Sequence, residues 1–133
     1  MSLQEIQNLN LDSITSILTY NINGIRAAIK KDLPSWIAST NSDIICLQEI
    51  KCEKTQVKLP EVFEKSYKYQ YWNPTKGTTQ RKGLSGTLLL SKIEPIKQIE
   101  HNIDEEGRTI IIEYDEFILF NLYVPNSQKF KSD

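Results

Sequence analysis

Residues 43–49 read Asp-Ile-Ile-Cys-Leu-Gln-Glu, four consecutive apolar side chains closing on an amide and a carboxylate. So short a run, without polar alternation, is the pattern of a strand covered on both faces. Such a strand needs one layer above it and one below, and this constrains the chain to a layered α/β architecture. The neighbouring segments can supply those layers. Residues 14–23 hold β-branched and aromatic side chains and end on Asn-Ile-Asn-Gly, a strand running into a turn. Ile25, Ala28, Ile29, Leu33, Trp36 and Ile37 then recur at the three-to-four spacing of one buried helical face. Pro34, close behind Asp32, predicts a short helix, a break, and a second helix capped by Asp32.

Further along, residues 54–65 are amphipathic with Pro60 as punctuation, and residues 67–72 alternate aromatic and polar side chains as a half-buried strand does. A Gly/Lys/Thr loop over 74–84 precedes another apolar strand at 87–90. Residues 108–114 and 117–124 flank Asp115-Glu116 as a hairpin. No internal repeat is present. Helices near the front followed mostly by strands predict an α+β sandwich.

Length and composition set limits. At 133 residues the chain suits one domain, and 39% hydrophobic with 25% charged residues is ordinary for a globular protein. The densest apolar stretch, 117–124, is interrupted by Asn121 and is far too short to span a membrane. Residues 1–13 carry no basic side chain, so they read as a polar leader and not as a secretory signal. Cys46 and Cys52 lie too close together to suggest a disulfide framework, which favours a reducing, cytoplasmic setting. A net charge of −1 argues against coating of nucleic acid by bulk electrostatics. A few placed cations suffice to hold phosphates, and Arg26/Lys30/Lys31, Lys76/Arg81/Lys82 and Lys129/Lys131 are local basic clusters. The plainer reading of each cluster is a solvated face.

Chemistry concentrates at strand ends. Glu49 closes an apolar strand, where a carboxylate is costly unless paired, metal-bound or reaching solvent. Its oxygens suit Mg²⁺, which typically takes one or two protein carboxylates and keeps its waters. Asn21 and Asn23 end the first strand; one could orient a carboxylate or phosphate while the other caps the turn into Gly24. Lys51, two residues past Glu49, could pair with that carboxylate or be a surface lysine. The Tyr123 hydroxyl could meet a phosphate, or the ring could be a core aromatic with a satisfied hydroxyl.

Taken in order, Tyr20-Asn21-Ile22-Asn23-Gly24-Ile25-Arg26-Ala27, Asp43 through Lys51 with its Leu-Gln-Glu-Ile-Lys, Gly83-Leu84-Ser85-Gly86, Glu106-Gly107-Arg108 and Tyr123-Val124-Pro125-Asn126 are more specific than any one of them. Together they resemble the exonuclease III / AP endonuclease branch of the endonuclease/exonuclease/phosphatase superfamily, from about Ile14 to Asn126. Leu-Gln-Glu is shared across the superfamily; the Asn-Gly-Ile-Arg-Ala and Gln-Glu-Ile-Lys contexts are particular to the DNA-repair branch. The resemblance implies a four-layered α/β sandwich with two mixed β-sheets. It also implies a Mg²⁺-dependent phosphodiesterase, with Mn²⁺ an alternative, that incises double-stranded DNA at abasic sites and trims 3′ ends.

By the same resemblance Glu49 is the metal carboxylate and Asn23 a softer metal contact, at a position that is Asp in some relatives. Tyr123, Asn21 and Lys51 take catalytic places, and Arg108, Asn126 and Lys129 contact DNA. Leu84 stands where some relatives carry a DNA-contacting tyrosine. The family's Gly-Asp-Xaa-Asn and Ser-Asp-His segments would lie past Asp133. His101, the sole histidine, stands in the wrong context to be catalytic and reads as a loop or strand-edge residue.

Residues 14–133 are therefore expected to form the N-terminal part of a longer domain, inactive alone and a monomer at full length. Exposed apolar faces are expected at 43–49, 87–90 and 117–124. The alternatives are a DNA-binding remnant without catalysis, or a sister phosphoesterase acting on phosphoinositide or phospholipid headgroups. The Gly24-Ile25-Arg26-Ala27 context argues against the second.

Overall fold

The apolar run becomes an interior strand. In the computed structural model, which describes Ser2, Ile14 and residues 16–76 and 85–125, β2 (Ile44–Gln48) is buried at all five positions. It pairs in parallel with β1 (Ile17–Asn21) and antiparallel with β4 (Thr87–Ser91), which pairs in turn with β3 (Tyr69–Asn73). A second, antiparallel sheet holds β5 (Lys97–Gln98), β6 (Thr109–Glu113) and β7 (Ile118–Leu122), with β6 in the middle. The expected hairpin is β6–β7, closed by Tyr114 N donating to Phe117 O at 2.8 Å.

The period-two alternation of a strand splits the core in two. Ile45 and Leu47, with Leu88 and Leu90, face α1 (Ile25–Ile29), α2 (Leu33–Ser39) and α3 (Glu61–Ser66) and pack with Ile25, Ile37 and Phe63. Ile44, Cys46 and Leu89 face the second sheet and pack with Ile110, Ile112 and Tyr114. The described residues thus build three layers: helices, a mixed four-stranded sheet and an antiparallel three-stranded sheet. Each fully buried Ile or Leu contributes about 1.5–3 kcal/mol, so β2 anchors both interfaces at once. Among the described residues no helix is long and apolar enough to cross a membrane.

Four expectations change. The second helix does start after Asp32 with Pro34 in its first turn, but the Asp32 side chain makes no capping hydrogen bond. Trp36 leaves the buried stripe through Leu33 and Ile37; it is 48% exposed and packs at a tilt on Tyr20, ring centroids 5.7 Å apart. Tyr67 lies outside β3: it caps α3, fully buried, its hydroxyl donating to Ser42 O at 2.7 Å. Residues 43–49 and 87–90 do not present open apolar faces, because the helices cover one side and the second sheet covers the other. Of the three expected faces, the outer face of β7 is the open one among the described residues, with Ile118, Phe120 and Leu122 at 51%, 53% and 51% exposure. The leader, apart from Ser2, and residues 126–133 lie outside the described residues.

Candidate active site

Past Gln48 the chain stays bonded to both neighbours but stops alternating. Gly24 N donates to Glu49 O at 2.7 Å and Ile25 N to Ile50 O at 3.0 Å on one side. On the other, Ile50 N donates to Gly86 O at 3.1 Å and Lys51 N to Ser85 O at 2.9 Å. Between these bonds the backbone takes left-handed conformations. Among the described residues five non-glycines have positive φ, and four of them, Asn23, Glu49, Lys51 and Ser85, gather here. Such conformations cost of order 1–3 kcal/mol and persist only where the surroundings over-determine them. The bonds to β1's turn and to the Ser85-Gly86 segment do so.

That break in alternation carries the Glu49 side chain to the other sheet. The Tyr123 hydroxyl donates to Glu49 Oε1 at 2.7 Å, joining residues 74 positions apart. Tyr123 follows Leu119 and Asn121 at period two, and its own N–H donates to Arg108 O at 2.8 Å, extending the β6–β7 ladder. Glu49, Tyr123 and Arg108, with Lys51, Ser85, Glu106 and Pro125, line an open cleft of ≈130 Å³.

Arg108 arrives on a loop stitched to the first sheet. Thr75 Oγ1 donates to Glu106 O at 2.9 Å and Thr87 Oγ1 to Gly107 O at 3.0 Å. Gly107 has φ +66, and a Cβ there would collide with Asn73 O and the Pro74 backbone, so only glycine fits. The Arg108 guanidinium forms an ion pair with Glu106, and the Arg108 backbone N–H donates to Asp104 Oδ1 at 2.8 Å. Arg108 Nε is buried without a hydrogen-bond partner, as is Asp104 Oδ2. An unmatched guanidinium N–H in a cleft wall is a donor available to an anion.

The asparagines stand to one side. Asn21 Oδ1 accepts from Asn23 N at 3.1 Å, fixing the turn, and Asn23 Oδ1 accepts from Lys51 Nζ at 2.6 Å. Lys51 therefore pairs with Asn23 and not with Glu49, although it lines the Glu49 cleft. Asn23 opens onto an adjoining depression with Tyr20 and Lys31. Asn126, Lys129 and Leu84 lie outside the described residues. His101 is a loop residue: Nε2 bonds Thr109 O at 2.8 Å and Nδ1 accepts from Ile103 N at 3.3 Å, which makes it structural. Both cysteines are free and buried, and burial pushes the Cys46 thiol up to about 12.

Residues 18–127 match the model of the Endonuclease/Exonuclease/phosphatase family. The chain belongs to that family. It is 34% identical over 119 residues to the DNA repair nuclease APEX1 of Danio rerio, covering 85% of this chain and 37% of that protein. With the exodeoxyribonuclease of Bacillus subtilis it shares 38% identity over 121 residues, 85% of this chain and 44% of the relative. An AP endonuclease structure from Archaeoglobus fulgidus superposes with a TM-score of 0.67 at 28% identity, covering 90% of this chain and 45% of that one. The chain spans less than half the length of these relatives.

In this family member the sequence reading missed roles for Glu106 and Ser85, which line the cleft. Both stand in recognisable motifs, Glu106-Gly107-Arg108 and Gly83-Leu84-Ser85-Gly86, but their place depends on a loop stitched across two sheets. Gln48 and Asn121 were likewise visible only as amides interrupting apolar strands.

Proposed function

We propose that this chain forms one wall of a divalent-metal-dependent phosphodiesterase site for double-stranded DNA, incising at abasic sites and trimming 3′ ends in the full-length protein. The observation that carries the reading is the Tyr123–Glu49 hydrogen bond in a cleft that also holds Arg108. The donor set fits a hard cation. Glu49 offers one fixed carboxylate, Glu106 lines the same cleft, and Mg²⁺ needs no more than one or two carboxylates beside its waters. Mn²⁺ has the same taste for oxygen. When bound, the metal supplies charge stabilisation at the phosphate.

The chain's own groups do the rest. Tyr123 holds the Glu49 carboxylate in one orientation through Oε1. Arg108 exchanges its Glu106 partner for a phosphate oxygen, with Nε as an additional donor. Lys51 and Asn23 form a polar flank beside the carboxylate, and Asn21 fixes the turn that presents Asn23. Asn126 and Lys129 extend the DNA contact. The 133 residues by themselves are inactive, and the full-length protein works as a monomer inside the cell.

A chimera tests this: residues 16–125 replace the matching segment of the Bacillus subtilis exodeoxyribonuclease. It should incise an abasic duplex only with Mg²⁺ or Mn²⁺ present. Glu49→Gln should lower the rate on the order of a hundredfold, since several kcal/mol of charge stabilisation are lost. Unchanged incision by the Glu49→Gln chimera would remove Glu49 from the mechanism.

A further inference from the structure

Directly beneath the Tyr123–Glu49 contact, two amides cross the interface between the sheets. Gln48 precedes Glu49 in the chain, and Asn121 lies two residues before Tyr123. Both are buried, at 8% and 1% exposure. Asn121 Nδ2 lies 3.3 Å from Leu47 O and 3.0 Å from Leu88 O, donating to both, while its Oδ1 accepts from Gln48 Nε2 at 2.9 Å. Gln48 Nε2 is also 3.0 Å from Thr19 Oγ1 and 3.2 Å from Cys46 O. The orientation of the Asn121 amide is fixed: turned over, it would set its oxygen against two carbonyl oxygens.

A buried amide on an inward strand position is costly unless its bonds are made, and here they are made to backbone. Leu47 and Leu88 are register partners in β2 and β4, so Asn121 grips the main chain of the first sheet, not a side chain free to turn away. Gln48 adds β1 through Thr19. Apolar residues at these two positions would pack the sheets together without fixing how one slides over the other; hydrogen bonds are directional and do fix it.

We infer that Gln48 and Asn121 are positioning residues, an inter-sheet clasp that sets β7 over β2 so that the Tyr123 hydroxyl reaches Glu49. Its consequence for metal affinity rests on the proposed reading of Glu49; its geometry does not.

The full chain, labelled with ¹³C at tyrosine Cζ, provides the readout. Tyr123→Phe assigns the Tyr123 resonance, and Glu49→Ala gives its position without the acceptor. Asn121→Leu and Gln48→Met remove the amides while roughly keeping volume. Both should melt as cooperatively as the parent and move the Tyr123 resonance most of the way to its Glu49→Ala position, leaving Tyr67 and Tyr114 in place. Mn²⁺ affinity should fall roughly tenfold, as it does when an outer partner of a metal ligand is lost, and no further once Tyr123→Phe is added. If Asn121→Leu does not fold, Gln48→Met decides. A Tyr123 resonance that stays put in the folded variants overturns the inference, as does a shift of all the tyrosines together. Unaltered Mn²⁺ binding by Glu49→Ala would defeat the metal reading alone, and the resonance would still decide the clasp.

Discussion

β2 and β7 are each five residues long, each mostly apolar, and each delivers one of the two side chains that meet in the cleft. Every residue of β2 is buried, whereas β7 buries fully only Asn121, its polar member. The difference lies in position. β2 has strands on both sides and a layer on both faces; among the described residues β7 is the edge of its sheet with one face covered. Apolar content therefore says that a strand seeks cover, and topology says how much it finds.

Making the same substitution in both strands tests that difference most strongly. Ile45→Ala should cost about 2–5 kcal/mol by urea denaturation, because the cavity opens in a packed core. Ile118→Ala should cost about 1 kcal/mol or less, the range of strand propensity on a half-open face. Equal costs would show that β7's outer face is covered in solution.

Alkaline pH should separate the two strands as well, since β2 buries an ionisable thiol. Burial raises Cys46 from 9.0 to about 12 in the folded chain, so the unfolded chain gives up its proton first. The stability this contributes is complete below pH 9 and is lost as pH climbs towards 12. The slope is at most about 1.4 kcal/mol per pH unit for one such group. Tyr114, raised from 10.0 to about 12 chiefly by burial, adds a similar decline from pH 10 upward. Cys46→Val should flatten the curve between pH 9 and 10, and an unchanged curve would mean that the thiol ionises freely in the fold.

A smaller effect is expected at the contact between the strands. Tyr123→Phe should cost about 1 kcal/mol or less in stability, since the bond it removes is partly open to water. A much larger loss would make the contact part of the core.

How far these features were legible follows the range of the interactions. Burial of β2, the break at Asp32-Leu33-Pro34 and the β6–β7 hairpin depend on local pattern and could be read. β5 could not: Lys97 and Gln98 are polar, exposed and without periodicity, and they pair only because β6 lies alongside. Glu49 and Tyr123 could each be singled out, but their contact depends on how two sheets stack. Lys51 misled because residues two apart on a regular strand share a face. Positive φ at both Glu49 and Lys51 breaks that period and sends the ammonium to Asn23. Trp36 misled because a stripe already filled by Leu33 and Ile37 leaves the next position on the flank.

Two sheets bring Glu49 and Tyr123 together, and the proposed function makes their contact part of one divalent-metal site. Mn²⁺ titration of the full chain labelled at its six tyrosines measures this directly, through paramagnetic broadening of each ring. Tyr123 should broaden first, at low Mn²⁺, with Tyr114 at the opposite end of β6 from Arg108 unaffected and the effect lost in Glu49→Gln. Uniform broadening of all the tyrosines, or selective broadening of Tyr123 that survives Glu49→Gln, would rule out a metal site at that contact.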